Sequence, residues 1–393
     1  MACYLNELGI INALGGSRQA VLDGLLAGSR EGLGSEVGLA RGRSVPVAAW
    51  PGDLPEPEAR LWRYRSRNNR LLLAALEQIR ASVDGVIDRH GADRVAVVLG
   101  SSTSGVLEGE QAVAAVHAGK PVPEGYHYYQ QEVGSPSLFL AELLGLNGPA
   151  MTISTACTSS AKSIIAGARM LEAGLCDAAL VGGVDSLCQL TVNGFDALES
   201  VAAGYCNPFS RNRDGINIGE GAALFLMTRE PGGLRLMGWG ESSDAHHISA
   251  PDPEGRGAET AMRQALAHGG VSPAQLTYLN LHGTGTIKND LMESHAVARV
   301  FPDGVAAGSS KGMTGHTLGA AGATEAGFCW LALHPEHGDG QLPPHVWDGE
   351  RDPALAPLAL VAPGNRAGSG PRIAMSNSFA FGGSNAVLVL GGK

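Results

Sequence analysis

"MTISTACTSSAKSIIAGARML" (Met151–Leu171) and "AAGSSKGMTGHTLGAAGATEAGFCWLAL" (Ala306–Leu333) follow one plan. In each, an extended run gives way to a tight turn, a Thr-small-X-Thr signature and a helix of small residues. X is Cys157 in the first copy and His316 in the second. A repeat of this kind predicts two related α/β halves packed about a pseudo-twofold axis, residues 1–230 and 231–393, meeting near "REPGGL" (229–234). Two helix N-termini, carrying Cys157 and His316, would then face a common centre. Chance likeness between two Gly/Ala/Thr-rich helices is the other reading, and the echo alone leaves both open.

Cys157 falls at the first turn of the earlier helix, where free N–H groups and the positive end of the helix dipole favour thiolate over thiol. A lone cysteine is also a small buried hydrophobe, so the local pattern does not decide its role. The remaining cysteines (Cys3, Cys176, Cys188, Cys206 and Cys329) form no CxxC pair and no zinc-like spacing with it. Their scatter suits a reducing cytoplasm. A net charge of −10 over 393 residues argues against nucleic acid as a partner. The N-terminal stretch lacks the basic region and long apolar run of a signal peptide, and no segment approaches a membrane span, so a cytoplasmic protein without a membrane partner is expected.

Strand-like runs alternate with helical patterns, the signature of an α/β fold. Strands are expected at 95–100, 178–183, 222–227, 278–283, 372–378 and 385–391, and helices at 69–88, 158–173, 258–268, 290–300 and 318–333. The segments 40–60, 118–128, 203–218, 229–234 and 334–370 read as loops.

Three further stretches bear chemistry. "LHGTGTIKNDLMES" places His282 at a strand end before a glycine-threonine turn, and "SSKGMTGHTLGAAG" sets Lys311 five positions before His316. "SNSFAFGGSNAVLVL" carries a glycine pair just ahead of the last strand. A thiolate with two histidines suits acyl transfer. Neutral imidazoles donating through Nε2 would hold a thioester oxygen while a neighbouring carboxylate leaves, and backbone N–H groups near Cys157 and Phe381-Gly382-Gly383 would make an oxyanion hole.

Together TACTSS (155–160), HGTGT (282–286), KGMTGH (311–316) and NSFAFGGSN (377–385) resemble the β-ketoacyl synthases, the elongating condensing enzymes of fatty-acid and polyketide synthesis. "NPFSRNRDGINIGEGAA" and "SSDAHHISAPDP" also look like segments of that family, and the set runs in the family's order from residue 91 to the C-terminus. The resemblance implies a thiolase-like, duplicated, five-layered αβαβα fold. It implies that Cys157 accepts the acyl group and that His282 and His316 bind the malonyl thioester and promote decarboxylation. Lys311 and Glu293 would be a paired charge ordering the site, or an ordinary ion pair. Thr284 and Thr286 match positions that contact the pantetheine arm, Phe381 a gating aromatic, and Asp244 the loop that moves with it. No tightly bound cofactor and no metal are implied; the phosphopantetheine arm of an acyl carrier protein delivers the substrates. A dimer is implied through edge strands beside the nucleophile strand, with "DAALVGGVDS" (177–186) contributing.

The departures are specific. Ala380 stands where the family usually has glycine before the gating phenylalanine, which puts gate motion in doubt because a Cβ disfavours positive φ. Ser384 replaces a commoner threonine. Thr103, in "LGSSTSGVLEG", occupies a place that limits acyl-chain length in relatives, and its polar neighbours suggest an unusual chain such as an aryl polyene. A thiolase needs a second cysteine that "FAFGGSN" lacks, and an initiating enzyme would carry asparagine at His316. A non-catalytic chain-length partner would lack Cys157, although a heterodimer with such a partner stays open beside a homodimer. A metalloenzyme built from His282, Asp290, Glu293 and His295 matches no recognised ligand spacing.

Acyl carrier proteins are typically acidic, so an acidic chain needs a local basic patch to dock one. "EARLWRYRSRNNRLLLAAL" (58–76) supplies Arg60, Arg63, Arg65, Arg67 and Arg70, with Arg63, Arg67 and Arg70 spaced to share a helix face with Arg60. Arg211 in "SRNRDG" would join that rim. A solvated helix face is the plainer reading of the same run.

Overall fold

The computed structural model describes residues 2–36, 40, 42–334, 340–368, 370 and 372–392. Parts of two expected loops, 41 in 40–60 and 335–339 and 369 in 334–370, lie outside the described residues.

Ten strands build the frame. Five belong to the N-terminal half: β1 (Cys3–Asn12), β2 (Val95–Gly100), β3 (Ala150–Ile153), β4 (Ala178–Asp185) and β5 (Gly221–Thr228). Five belong to the C-terminal half: β6 (Leu234–Ser243), β7 (Tyr278–Asn280), β8 (Ala306–Gly308), β9 (Ile373–Phe379) and β10 (Ser384–Gly391). The first set lies in the order β3-β2-β4-β5-β1 and the second in the order β8-β7-β9-β10-β6, the same arrangement displaced by five. The directions repeat too: β2 is parallel to β3 and β4, and β7 to β8 and β9, while the remaining pairs in both halves are antiparallel. A short antiparallel ladder, Cys3–Leu5 of β1 against 234–236 of β6, stitches the halves into one sheet.

Burial explains the strand sequences. VAVVLG of β2 and AALVGGVD of β4 are buried at every residue, as parallel strands covered on both faces must be. Five helices matter for the site: α1 (Arg67–Glu77), α2 (Ser159–Glu172), α3 (Arg256–Gly269), α4 (Ile287–Val300) and α5 (Ala321–Leu333). α2 packs on β2 and β4, and α5 on β4, β5, β9 and β10, so both lie between the halves. All thirteen residues of α5 are buried, which is why it is small or apolar on every face apart from Thr324 and Glu325. The two central helices approach closely because their contact is made of small residues: a Cβ on Gly322 would lie 2.7 Å from the Cβ of Ala161. α1 covers the N-terminal strands from outside, and α3 covers β6 and β10 with α4 beside it. The layers run α-β-α-β-α, as the resemblance implies.

Three expectations need correction. The helix expected over 69–88 is two helices, Arg67–Glu77 and Arg80–His90, broken at Ile79 (φ −122°, ψ 10°). The stretch "DAALVGGVDS" is not at an edge, because β4 is hydrogen-bonded on both sides, to β2 and to β5. The edge of that half is β3, the strand leading into Cys157, with Met151 42% exposed.

Candidate active site

β3 ends in a strained turn. Ala156 takes φ +51°, a left-handed conformation that a side chain disfavours by about 1–3 kcal/mol. Local hydrogen bonds hold it there: Ser159 Oγ accepts the N–H of Thr155 (2.9 Å) and donates to the Ala156 carbonyl (2.6 Å). The turn aims the Cys157 sulfur into a buried cleft against His316 Nε2, 2.9 Å away. The backbone N–H groups of Phe381 and of Cys157 itself also favour the thiolate. Burial nevertheless dominates and pushes the thiol up to about 12, so the resting group is a thiol. The expectation that the helix end favours the thiolate is not met: taking the sulfur out of water outweighs Lys311 and both N–H groups.

The second copy of the plan delivers His316 by the same geometry. Gly315 (φ +62°) precedes it as Ala156 precedes Cys157. The His316 N–H donates to the Asn217 carbonyl (2.7 Å), and its carbonyl accepts from Gly219 (2.9 Å). Its Nδ1 accepts the N–H of Leu318 (3.3 Å), which leaves the proton on Nε2, facing the sulfur. His282, at the end of β7, is arranged alike. Its Nδ1 lies 3.4 Å from the Lys311 ammonium, a group that only donates, so its Nε2 also carries the proton. The rings stand 5.4 Å apart and nearly perpendicular. Burial first, then Lys311, holds both imidazoles well below their usual range, so both are neutral donors at pH 7.

Lys311 is buried, donates to the His282 carbonyl oxygen and forms its ion pair with Glu325 of α5. Glu293 is not its partner. Both Glu293 oxygens accept backbone donors of the histidine turn, His282 N–H (2.8 Å) and Gly283 N–H (2.7 Å), with Asn377 Nδ2 at 3.1 Å. Burial raises both carboxyls, Glu293 and Glu325, to about 7. Glu325 escaped the sequence reading, although a single charge inside an otherwise uncharged helix is the signal that betrays it.

The glycine loop closes the cleft. Gly382 (φ +83°) and Gly383 (φ +77°) supply its left-handed residues, while Ala380 is extended (φ −120°, ψ 154°) and its Cβ is tolerated without strain. Phe381 packs its ring 5.4 Å from that of Phe195. Asp244 anchors the loop: its N–H donates to the Gly383 carbonyl (2.8 Å), and its Oδ1 accepts from Asn385 Nδ2 (2.7 Å). The Ser384 hydroxyl meets that of Thr158 at 3.0 Å, joining the loop to the start of α2.

Cys157, His282 and His316 line a cavity of about 330 Å³ whose walls include Thr284, Thr286 and Lys288. The hydroxyls of Thr284 and Thr286 are 2.9 Å apart. Phe195 and Leu198, unremarked in the sequence, line it with Phe381. Thr103 is not among them: its hydroxyl and N–H both go to Asp185 (2.8 Å each). The Cys157 sulfur and a nitrogen of each histidine lie within 4.8 Å of one another, a spacing a metal would tolerate. The Nδ1 acceptors described above make both Nε2 atoms donors, which suits an oxygen anion and not a cation. Asp290 and Glu293 hold backbone N–H groups, and His295 is exposed, so that alternative ligand set is not assembled.

The arginine run is not an open basic face. Arg60 and Arg63 lie in a 3₁₀ turn, Ala59–Tyr64, and only Arg67 and Arg70 are on α1, so the expected common helix face does not form. Arg60 pairs with Glu58 (2.7 Å), Arg63 with Glu142 (2.6 Å), Arg65 with Glu56 (2.7 Å) and Arg70 with Glu56 (3.1 Å). Arg67 is bound bidentately to the fully buried Glu220. Arg211 is exposed, as are Lys288 and Arg351, and these three stand outside the ion pairs of the described residues.

Residues 63–231 match the model of the beta-ketoacyl synthase N-terminal domain, and 235–346 that of its C-terminal domain. The chain is 32% identical over 339 residues to 3-oxoacyl-[acyl-carrier-protein] synthase 2 of Staphylococcus aureus, covering 81% of this chain and 82% of that protein. It is 36% identical over 272 residues to the mitochondrial 3-oxoacyl-[acyl-carrier-protein] synthase of Arabidopsis thaliana, covering 62% of this chain but 57% of that one. Among solved structures, it matches a chain of the ketosynthase (ApeO) in complex with its chain length factor (ApeC) from Xenorhabdus doucetiae. That match has a TM-score of 0.95 and 47% identity, over 100% of this chain and 98% of the other. A chain of the ishigamide ketosynthase/chain length factor matches at a TM-score of 0.89 and 27% identity, over 100% and 99%.

Proposed function

The chain belongs to the β-ketoacyl synthase family, and from that premise we propose how its residues divide the family's decarboxylative condensation. The Cys157 sulfur attacks an acyl thioester, forming an S–acyl bond as the carrier's pantetheine thiol leaves with the proton. A malonyl thioester then enters along Thr284 and Thr286 and sets its carbonyl oxygen against the two Nε2–H donors. Its C–C bond to the carboxylate breaks, CO2 departs and the electron pair becomes the enolate. The enolate carbon attacks the acyl carbonyl, whose oxyanion is held by the N–H groups of Cys157 and Phe381. Collapse expels the sulfur and yields a 3-oxoacyl thioester on the carrier. The observation that carries this reading is that both Nδ1 atoms are occupied by donors, so both imidazoles carry their proton on Nε2. Lys311 orients His282, and Glu293 and Glu325 hold that turn and that lysine. The halves 1–230 and 231–393 each contribute one side of the cleft.

Association with a second, related chain is part of the proposal. The unpaired edge of β3 and the exposed Met151, Leu138, Val113 and Val116 of the N-terminal half support it. A heterodimer with a non-catalytic chain-length partner is favoured, because the 47%-identical structure is a ketosynthase with a chain length factor. The reading extends to polyketide synthesis, and six unpaired thiols suit a cytoplasmic setting. With Thr103 outside the cavity lining, the acyl class rests on the residues that do line it, Glu199, Ser200 and Asp214 beside Phe195 and Leu198. Such a wall suits a conjugated or oxygenated chain, an aryl polyene among them. No helix among the described residues is long and apolar enough to cross a membrane. Mass spectrometry of the group carried on Cys157 after expression with the native carrier protein tests the whole reading. A saturated alkyl group overturns the acyl class, and an unmodified cysteine in the presence of acyl carrier protein overturns the nucleophile.

A further inference from the structure

Asp185 ends β4 and is completely buried, with no cation bonded to it. Its Oδ1 accepts the Ser101 hydroxyl (2.7 Å), the N–H groups of Ser102 and Thr103 (2.8 Å each) and the Thr103 hydroxyl (2.8 Å). Its Oδ2 accepts the N–H of Gly319 at 2.6 Å, and that of Ser102 at 3.0 Å. One carboxylate thus joins the loop after β2 to the turn that follows His316. That turn is strained. Leu318, between His316 and Gly319, sits at φ +52°, where a leucine persists only if its surroundings hold it. Its N–H is the group that donates to His316 Nδ1. Gly319 admits the carboxylate because it has no Cβ: one would lie 2.7 Å from Asp185 Oδ2 and 2.7 Å from Ser102 N.

We propose that Asp185 is a positioning residue for the condensation step: by gripping the Gly319 N–H it holds Leu318 in its left-handed conformation and so fixes the tautomer of His316. Without that grip the Leu318 peptide relaxes toward an ordinary backbone conformation and its N–H leaves Nδ1. The imidazole proton then divides between the two nitrogens, and Nε2 no longer presents a donor in every molecule. A thioester oxygen on its way to an enolate meets one reliable donor in place of two. The acyl-loading step relies on the backbone N–H groups of Cys157 and Phe381 and is left largely intact. This inference rests on the role given to His316 above.

The test compares Asp185→Asn, which keeps shape and one acceptor but turns an amide N–H2 toward the surrounding donors, with Ser101→Ala, which removes a donor only from the loop side. Malonyl decarboxylation by the unsubstituted protein is measured first, and its absence would refute the function and with it this role of Asp185. Given that activity, Asp185→Asn is expected to lower kcat for decarboxylation about 10- to 100-fold, the loss due to a misaimed transition-state donor. Acyl loading on Cys157 and all rates of Ser101→Ala should stay within about threefold of the parent. The ¹⁵N resonances of His316 should show an unprotonated Nδ1 in the parent and averaging between tautomers in Asp185→Asn. Gly319→Ala attacks the same contact from the other side and should share the phenotype. Equal losses in both half-reactions, an unchanged tautomer, or failure of both variants to fold would each overturn the proposal.

Discussion

His316 Nε2 lies 2.9 Å from the Cys157 sulfur, yet this histidine is a donor to the sulfur and not its base, because the Leu318 N–H occupies Nδ1. The pair therefore differs from a thiolate–imidazolium couple. The thiol is buried and protonated, and the imidazole is held neutral by the same burial.

The first prediction separates the half-reactions. Cys157→Ala abolishes acyl loading. His316→Ala and His282→Ala keep loading but each lose condensation by about 10²- to 10³-fold, the loss found when one oxyanion donor is removed. Radiolabelled acyl transfer and CO2 release report the two steps separately. A Cys157→Ala protein that still carries a covalent acyl group would show that the nucleophile is elsewhere.

The second concerns pH. With the thiol pushed up to about 12, alkylation of Cys157 by iodoacetamide should quicken about tenfold per pH unit from roughly 7 to 9, without a plateau. A plateau near neutrality would mean a resting thiolate. The histidines work in the opposite sense. Their folded values lie below the unfolded one, so the stability they contribute is fully present above the unfolded value of about 6.5 and is lost as pH falls toward the folded value. Decarboxylation by the acyl-loaded enzyme should stay flat between roughly pH 6.5 and 8, where the imidazoles remain neutral.

The third addresses the buried ion pair. Glu325→Ala leaves the Lys311 ammonium unpaired in the interior and should destabilise the fold by about 3–5 kcal/mol, seen as a lowered thermal midpoint. Glu325→Gln should destabilise less while slowing decarboxylation more than loading, since Lys311 holds the Nδ1 of His282. Loss of loading in proportion would place Lys311 in the acyl-transfer step instead.

The sequence made the three reacting side chains legible because their motifs are local: each sits in a turn whose glycine or small-residue pattern survives any packing. The duplicated plan was legible for the same reason, since Ala156 and Gly315 both mark a left-handed residue before the reacting one. What depends on the assembled interior was not. The state of the Cys157 thiol follows from burial by both halves, which no helix-end argument contains. Lys311 could be matched to Glu293 from order along the chain, but Glu325 reaches it across the central layer. Thr103 and its serine neighbours look like a polar lining, and only the fold reveals that they converge on Asp185. β1 and β6 do not read as strands, because Asn6 and Glu7 interrupt one and Gly238 and Gly240 the other, so neither is a continuous apolar run.

The last prediction moves the carrier-protein contact. Arg67, in the run first read as a docking patch, holds Glu220, a carboxylate with no exposed surface that also accepts the Trp50 N–H at 3.0 Å. Arg67→Glu would set two carboxylates together in the interior, so it should lower the thermal midpoint and damage every activity alike, in keeping with roughly 3 kcal/mol or more for breaking a buried pair. Arg211 and Arg351 have no such duty. They are neighbours across a bridge between Ser210 and Arg351, and the Arg211 N–H donates to the Glu350 carbonyl (2.9 Å). The segment they share is tied to the turn after His282, through Phe209 N–H to Asp290 (2.7 Å) and Gly215 N–H to the Gly285 carbonyl (3.1 Å). They therefore stand on the same flank as Thr284 and Thr286, which line the cavity. An acidic carrier protein docking there would meet cations outside the ion pairs, and along 60–70 it would meet neutralised ones. Reversing Arg211 and Arg351 to Glu should raise KM for the carrier-bound substrate about three- to tenfold and reduce its salt dependence. Turnover of a small pantetheine thioester should be unchanged, because neither side chain enters the cavity. An unchanged KM for the carrier protein would remove both arginines from the contact, and equal losses with both substrates would trace the effect to the fold.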